Sequence, residues 1–245
     1  MKALCGRGAG PREHWAGFDH KKKYKYSRLL CLISQTRHVP NGLKVVVGAQ
    51  IPMLESMQSV AVYCGSATGN SPAYTKAAQE LGTELARRGL TLVYGGGNIG
   101  LMREVAEACL AAGGTVTGVM PQSLVDLEIS HPGLTTLEVV GSMAERKTRM
   151  EQLADAFICL PGGVGTLEEL TEVLTLQQLG TIRGPVGLVN TEDFWRPFYA
   201  MYAAMAESGF ILPRFVDALV MKEKPQDILD EFGRWNYPGT KWDND

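Results

Sequence analysis

Residues 155–169 read DAFICLPGGVGTLEE and contain the transition that decides the fold. The run 155–160 is apolar throughout after its first residue, which is typical of a strand buried on both faces. The glycines that follow allow a tight turn, and residues 166–180 have the pattern of a helix. A buried strand that leads through a glycine turn into a helix is the repeating unit of a parallel α/β sheet.

The same alternation extends in both directions along the chain. Strands are predicted at 59–64, 90–95, 115–120, 134–140, 155–160, 185–190 and 217–221. Helices are predicted at 71–88, 99–112, 142–154, 166–180, 193–208 and 225–234. Alternating strands and helices make the sheet parallel and cover both of its faces. The sequence therefore predicts one α/β domain over residues 57–236, with a doubly wound, Rossmann-like parallel sheet flanked by helices.

Composition narrows the class of protein. The chain has 245 residues, of which 45% are hydrophobic and 20% charged, as in a globular protein with one substantial core. Its five cysteines are widely spaced, without a CxxC pair, so we expect neither a disulfide framework nor a zinc site. No apolar run reaches the roughly 18 residues that cross a bilayer. We expect a cytoplasmic protein that does not bind membranes.

The two ends of the chain are expected to lie outside the domain. Residues 1–52 hold 10 of the 24 Lys and Arg but 2 of the 26 Asp and Glu. We interpret residues 1–56 as a basic, solvated extension and 237–245 as a tail, and expect no nucleic-acid partner. A targeting segment, an arm for anionic surfaces, or a translation start at Met53 or Met57 are the alternatives for the extension.

Three glycine-containing loops follow predicted strands: CGSATGNS at 64–71, GGGNIG at 95–100 and PGGVGT at 161–166. Ligands of doubly wound sheets bind at the carboxyl ends of the strands, so these loops should form one site. Glycine loops before helices present backbone N–H groups to anions such as phosphate. GGGNIG matches GxGxxG, but the next strand ends without the acid that holds a dinucleotide ribose. We expect no dinucleotide, no metal and no other cofactor.

Two pairs of residues near these loops have a capping pattern. Thr166 and Glu169 fit a capping box, as do Ser142 and Glu145. On a helical wheel Glu169 shares a second apolar face of its helix, which predicts a carboxylate partly removed from water and a face that packs against a partner subunit. Arg146 and Lys147 flank the inward stripe of the preceding helix and would complete an anion site.

The joint occurrence of three motifs identifies a resemblance. GGGNIGLM at 95–102, MAERKTRM at 143–150 and PGGVGTLEE at 161–169 resemble the LOG ("lonely guy") family of cytokinin-activating nucleotide phosphoribohydrolases, over about residues 58–235. That family was formerly labelled lysine decarboxylase, although no pyridoxal lysine site is evident in the sequence. The resemblance implies hydrolysis of the bond between an adenine-type base and ribose 5-monophosphate. It also implies a homodimer with active sites near the subunit interface.

The resemblance also implies roles for particular residues. Arg146 and Glu169 take the catalytic positions. An acid of the loop before the Arg-Lys helix falls on Glu128, with Asp126 as its alternative. The substrate-binding positions are Glu128, Arg146, Lys147, Gly162, Gly163, Val164, Gly165, Thr166, Leu167, Glu168, Glu169 and Thr175, and Gly96 and Gly97 of the second loop are added as phosphate contacts.

Three other functions remain open from the sequence. One is a non-catalytic nucleotide-binding or carrier protein of the same superfamily, which would bind a phosphorylated ligand without turnover. Another is a general AMP nucleosidase that acts in nucleotide salvage. A Rossmann oxidoreductase would need the missing ribose-binding acid. The intact Arg-Lys pair and the final glutamate of PGGVGTLEE favour the hydrolase.

Overall fold

Seven parallel strands form one sheet within the residues that the structure, a computed structural model, describes: 57–127 and 129–243. The strands are β1 (Ser59–Tyr63), β2 (Thr91–Tyr94), β3 (Val116–Pro121), β4 (Thr136–Val140), β5 (Ala156–Cys159), β6 (Val186–Val189) and β7 (Val220–Lys222). Their order is β4-β3-β2-β1-β5-β6-β7, and every neighbouring pair is parallel. The predicted extension, residues 1–56, lies outside the described residues.

Helices connect these strands. They are α1 (Pro72–Arg87), α2 (Gly100–Ala111), α3 (Gln122–Val125), α4 (Met143–Leu153), α5 (Val164–Leu179), α6 (Arg196–Glu207), α7 (Pro213–Asp217) and α8 (Pro225–Phe232), with a short 3-10 turn at Thr191–Asp193. Among the helices of the described ranges, none is long and apolar enough to cross a membrane.

Two hydrophobic cores cover the two faces of the sheet. One lies under α1, α2 and α8, where Leu81, Val105 and Phe232 are fully buried. The other lies under α4 to α7 and is built around Phe157 and Leu170, both of them buried. The central strands are therefore shielded from water on both sides, which is why their sequences are continuously apolar.

The loops after β1, β2 and β5 converge at one edge of the sheet. β1 lies between β2 and β5, and the chain winds outward in opposite directions from these strands. The N–H of Gly65 donates to the Pro161 carbonyl at 3.1 Å, and the N–H of Leu101 donates to the Gly65 carbonyl at 3.0 Å. This is the topological switch point, where doubly wound sheets bind their ligands.

The predicted fold class and order of elements are confirmed. The main error concerns residues 213–222, since 213–217 form the short helix α7 and the last strand begins only at Val220. The short α3 and the turn at 191–193 were not predicted. Such short elements have too few residues to show a hydrophobic period.

Candidate active site

The helix α5 begins earlier than its sequence pattern indicates. Gly163 is the N-cap and the helix starts at Val164, so the predicted capping box of Thr166 and Glu169 is wrong. A Cβ on Gly162 would lie 2.1 Å from the Thr166 hydroxyl, so the absence of a side chain at Gly162 lets Thr166 pack over the turn. The N-cap Gly163 has no side chain that could cap this end, and the first N–H groups of an α-helix have no partner within the helix.

Glu169 lies one turn into α5, on the side that faces the sheet. The residue is 9% exposed and lies above the ends of β1 and β5. Burial raises the pKa of this carboxyl to about 7, and the nearby Arg146 guanidinium acts in the opposite direction but more weakly. Glu169 is therefore a carboxyl that can exchange a proton near neutral pH, which is a property of many catalytic acids and bases.

Arg146 is brought to Glu169 by the helix α4. The predicted capping box at the start of α4 is confirmed in its serine half, because the Ser142 hydroxyl accepts a hydrogen bond from the Glu145 N–H at 3.2 Å, whereas the Glu145 carboxylate accepts the N–H of Gly141 at 2.8 Å. From there Arg146 extends over the sheet, and its Nε donates to the Val119 carbonyl at 3.2 Å. One terminal nitrogen lies 3.6 Å from Oε1 of Glu169, a distance that makes an ion pair without a close hydrogen bond.

A glycine at the end of β2 makes room for this arginine. A Cβ on Gly95 would lie 1.8 Å from Nη2 of Arg146 and 2.9 Å from its Cζ. The guanidinium therefore lies directly on the Gly95 backbone, where any larger residue would displace it. The first glycine of GGGNIG thus positions Arg146, a role that its motif does not indicate.

Lys147 points to the other edge of α5. Its ammonium forms ion pairs with Glu168 and, at 2.7 Å, with Glu172. The lysine side chain is only 16% exposed, and these two partners raise its pKa. Glu151, one turn further along α4, is a fourth carboxyl of this region, and burial raises its pKa to about 7. The four carboxyls outnumber the two cations.

The other predicted site residues are distributed unevenly. Val164, Gly165, Leu167 and Glu168 are exposed at the start of α5, as a binding loop requires, whereas Thr175 lies on the outer side of the same helix. Asp126 ends the short α3, where its carboxylate accepts a hydrogen bond from Gln122 at 2.7 Å. Glu128 lies outside the described residues.

The middle glycines of GGGNIG are buried. The Gly96 carbonyl accepts the N–H of His131 at 2.9 Å, and the Gly97 carbonyl accepts the Tyr94 hydroxyl at 3.3 Å. The first contact fastens the segment before β4 to the loop after β2, and the second lies within the end of β2 and its own loop. The assignment of Gly96 and Gly97 as substrate contacts stays a prediction.

A cavity of about 220 Å³ adjoins the start of α5. The loop from Gly65 to Gly69 forms one wall, Gly162 and Gly163 form another, and the rings of Tyr74 and Phe194 close the side. Pockets for drug-sized ligands are about 300–1,000 Å³, so this cavity suits part of a nucleotide rather than a whole one. Within the described residues, no group of three or more His, Cys, Asp or Glu is arranged to hold a metal ion.

Comparisons with known proteins bear on this site. A family model described as a possible lysine decarboxylase matches residues 102–232, which include α4 and α5. The cytokinin riboside 5'-monophosphate phosphoribohydrolase LOG of Oryza sativa subsp. japonica is 49% identical over 188 residues, which cover 76% of this chain and 78% of that protein. The chain belongs to the LOG family. The resemblance stated from its three motifs is thereby confirmed.

Further LOG-family proteins match at similar identity. The Arabidopsis thaliana cytokinin riboside 5'-monophosphate phosphoribohydrolase LOG1 is 46% identical over 170 residues, covering 69% of this chain and 80% of that protein. The cytokinin riboside 5'-monophosphate phosphoribohydrolase of Rhodococcoides fascians is 46% identical over 157 residues, covering 64% of this chain and 79% of that protein. The similarity is therefore shared by LOG-family members of different organisms.

Solved structures share the fold at lower identity. The molybdenum cofactor binding protein from Rippkaea orientalis has a TM-score of 0.57 and is 21% identical, covering 72% of this chain and 96% of that one. The molybdenum cofactor carrier protein from Chlamydomonas reinhardtii has a TM-score of 0.54 and is 18% identical, with the same coverage. At these identities the likeness concerns the fold alone.

Proposed function

We propose that this chain hydrolyses the N-glycosidic bond of adenosine 5'-monophosphates that carry a substituent on N6, and releases the free base, a cytokinin, and ribose 5-phosphate. The observation that carries the proposal is the buried Glu169, paired with Arg146 beside an uncapped, glycine-rich helix start. The LOG-family relatives named for this activity support the same reaction.

The proposed mechanism assigns the chemistry to Glu169. Cleavage of the C–N bond passes through an oxocarbenium-like state, in which the ribose carries positive charge. The Glu169 carboxylate stabilises this charge and accepts a proton from the water that adds to the anomeric carbon. The base leaves with the electron pair of the broken bond and takes up a proton from solvent, and Glu169 later returns its own proton to solvent. Arg146 stays charged throughout, so it orients Glu169 and the nucleotide and does not act as an acid.

The phosphate is proposed to lie at the start of α5. The turn from Gly162 to Thr166 presents backbone N–H groups there, and the helix adds the positive end of its dipole. The adjoining cavity extends this position away from Glu169 toward the loop after β1. Binding energy from the phosphate would then position the anomeric carbon against Glu169.

The quaternary state and compartment are also proposals. The outer side of α5 exposes Val164, Leu167 and Leu179, which supports a homodimer that covers this face. Sedimentation of the purified protein would test the dimer, and a monomer at micromolar concentration would contradict it. Free, buried thiols at Cys64, Cys109 and Cys159 are compatible with a reducing cytoplasm.

A substrate panel tests the proposed reaction class. We expect release of free base from N6-isopentenyladenosine 5'-monophosphate and from AMP, with chromatography of the products as the measurement. The corresponding nucleosides should react far more slowly, because they lack the phosphate that positions the ribose. Preference for AMP over the substituted nucleotide would favour a salvage nucleosidase. Tight binding of every nucleotide without base release would favour a carrier.

The pH profile should follow the ionisation of Glu169. Because its carboxylate is the active form and burial raises its pKa to about 7, kcat/KM should rise with pH to a plateau, with the midpoint near 7. Below this pH the Glu169 carboxylate is protonated, so it can no longer accept a proton from water and the activity is lost. Initial rates of base release across the pH range measure the midpoint.

The Glu151→Gln variant is the control for this profile, since Glu151 has a similarly raised pKa. We expect the variant to keep a midpoint near that of the wild type. If the midpoint of the pH profile disappears in Glu151→Gln, the titrating carboxyl is Glu151. That result would contradict the role of Glu169.

A further inference from the structure

The helix that carries Arg146 has little apolar anchoring of its own. Met150 is the one buried residue of α4, whose residues are all described by the structure. Besides Met150 and the partly buried Leu153, which packs against the same core, polar contacts hold α4 against its neighbours. One of these is the pair between Arg149 and Glu138 of β4, with Nε and Oε2 2.5 Å apart. Others are the hydrogen bond from Arg146 to the Val119 carbonyl and the pairing of Lys147 with α5.

Lys147 is held by two carboxylates on one edge of α5. Glu168 and Glu172 are four residues apart, so they lie on the same side of the helix, one turn above the other. Both pair with the Lys147 ammonium, which is largely shielded from water. The carboxylate ends are more open to water, since the side chain of Glu168 is 55% exposed and that of Glu172 37%. The two pairs link α4 to α5 one residue away from Arg146.

The same arrangement disfavours Lys147 as a phosphate ligand. A phosphomonoester dianion at Lys147 would have to displace both carboxylates and remain close to them. The carboxyls of this region, Glu151, Glu168, Glu169 and Glu172, outnumber the cations Arg146 and Lys147. A second anion placed there would be repelled. At the glycine turn at the start of α5, a phosphate would not have to displace carboxylates from an ion pair.

We propose that Glu172 and Glu168 clamp Lys147, and that this clamp positions Arg146 against Glu169, while the phosphate binds elsewhere. Lys147 and Glu172 are thus positioning residues. The inference rests on the proposed hydrolysis. It departs from the expectation that Lys147 contacts the substrate, and it adds Glu172, which lies outside the recognised motif.

Several charged or titratable groups face Glu169. They are Arg146 and Lys147 from α4, Glu168 and Glu172 from α5, Tyr63 at the end of β1, Cys64 just after it, and Cys159 from β5. Lys147 lowers the pKa of Glu169, whereas Glu172 raises it. Removal of each partner of the clamp should therefore move the pH profile in opposite directions. A purely structural contact would not have this effect.

The test compares Lys147→Met with Glu172→Gln. For Lys147→Met we expect kcat to fall about 10- to 100-fold, because misplacement of catalytic groups by about 1 Å has effects of this size. KM, and inhibition by ribose 5-phosphate, should change less than about threefold, as expected when ground-state binding is retained. The midpoint of the pH profile should rise in Lys147→Met and fall in Glu172→Gln. Lys147→Arg should restore part of kcat.

The Glu80→Gln variant is the matched control. Glu80 pairs with Lys76 at 3.7 Å on the exposed side of α1, and its loss should change neither kcat nor the midpoint. A large rise in KM and in the inhibition constant of ribose 5-phosphate for Lys147→Met would show that the lysine binds phosphate and would overturn the clamp. Shifts of both midpoints in one direction would also overturn it.

A stability measurement keeps the clamp testable apart from the reaction. The losses in unfolding free energy from Lys147→Met and Glu172→Gln should be non-additive in the double variant. Either single substitution already removes the interaction energy of the Lys147–Glu172 pair, so the double variant cannot lose it a second time. Additive losses would contradict the clamp even in a protein without activity. If the wild type releases no base but the losses in unfolding free energy are non-additive, only the proposed function is contradicted.

Discussion

The Glu169→Gln variant is expected to release free base about 10² to 10⁴ times more slowly than the wild type, the range attributed to one positioned acid–base group. Glutamine keeps the shape of the side chain but can neither take a proton from water nor stabilise a positive ribose by its charge. Initial rates of base release, measured above pH 7 where the wild-type carboxyl is ionised, give the effect.

Measurements of nucleotide binding distinguish a loss of catalysis in Glu169→Gln from misfolding of the variant. The variant should still bind the nucleotide in calorimetry, and its unfolding transition should be retained, because an amide costs less to bury than a charge. Glu107→Gln, on the exposed side of α2, is the matched control and should keep full activity. Wild-type rates in Glu169→Gln would remove Glu169 from the mechanism.

The Gly95→Ala variant is expected to lose activity on the order of 10²-fold, although Gly95 carries no chemistry. The new methyl group would occupy the position of Nη2 of Arg146, so the guanidinium must leave Glu169. The backbone of Gly95 does not have a positive φ, so alanine is compatible with the local conformation and the protein should fold. Base-release kinetics and the unfolding transition are measured together.

A double-mutant cycle decides whether Gly95 acts through Arg146. Arg146→Ala alone should produce a loss at least as large as that of Gly95→Ala. The double variant should then be no worse than Arg146→Ala, because the arginine that the methyl group displaces is already absent. Multiplicative losses in the double variant would show that Gly95 acts through another group.

The fold was largely predictable because its strands are buried on both faces. The run before PGGVGT is continuously apolar, and Phe157, Ile158 and Cys159 are all buried. The start of α5 was misplaced because Thr166 and Glu169 have the spacing of a capping box. The glycines at 162 and 163 allow an earlier turn, after which Thr166 packs over Gly162.

The site was predictable in part. The motifs assign Arg146 and Glu169, and the structure brings these two side chains together from separate helices. The supporting roles of Gly95 and Glu172 were not predicted, since each depends on how closely α4 approaches another element. Such distances between elements leave no periodic signal in the sequence. The sequence contains one signal of a close approach between Gly95 and Arg146. A glycine directly follows a buried strand, and a cation lies on a later helix at the same edge of the sheet.

Product analysis with N6-isopentenyladenosine 5'-monophosphate tests the central claim most directly. Chromatography and mass spectrometry of the complete reaction should detect the free base and ribose 5-phosphate in equal amounts, and these products should be greatly reduced with Glu169→Gln. Formation of the nucleoside and inorganic phosphate, or recovery of intact nucleotide from protein that binds it, would contradict the account.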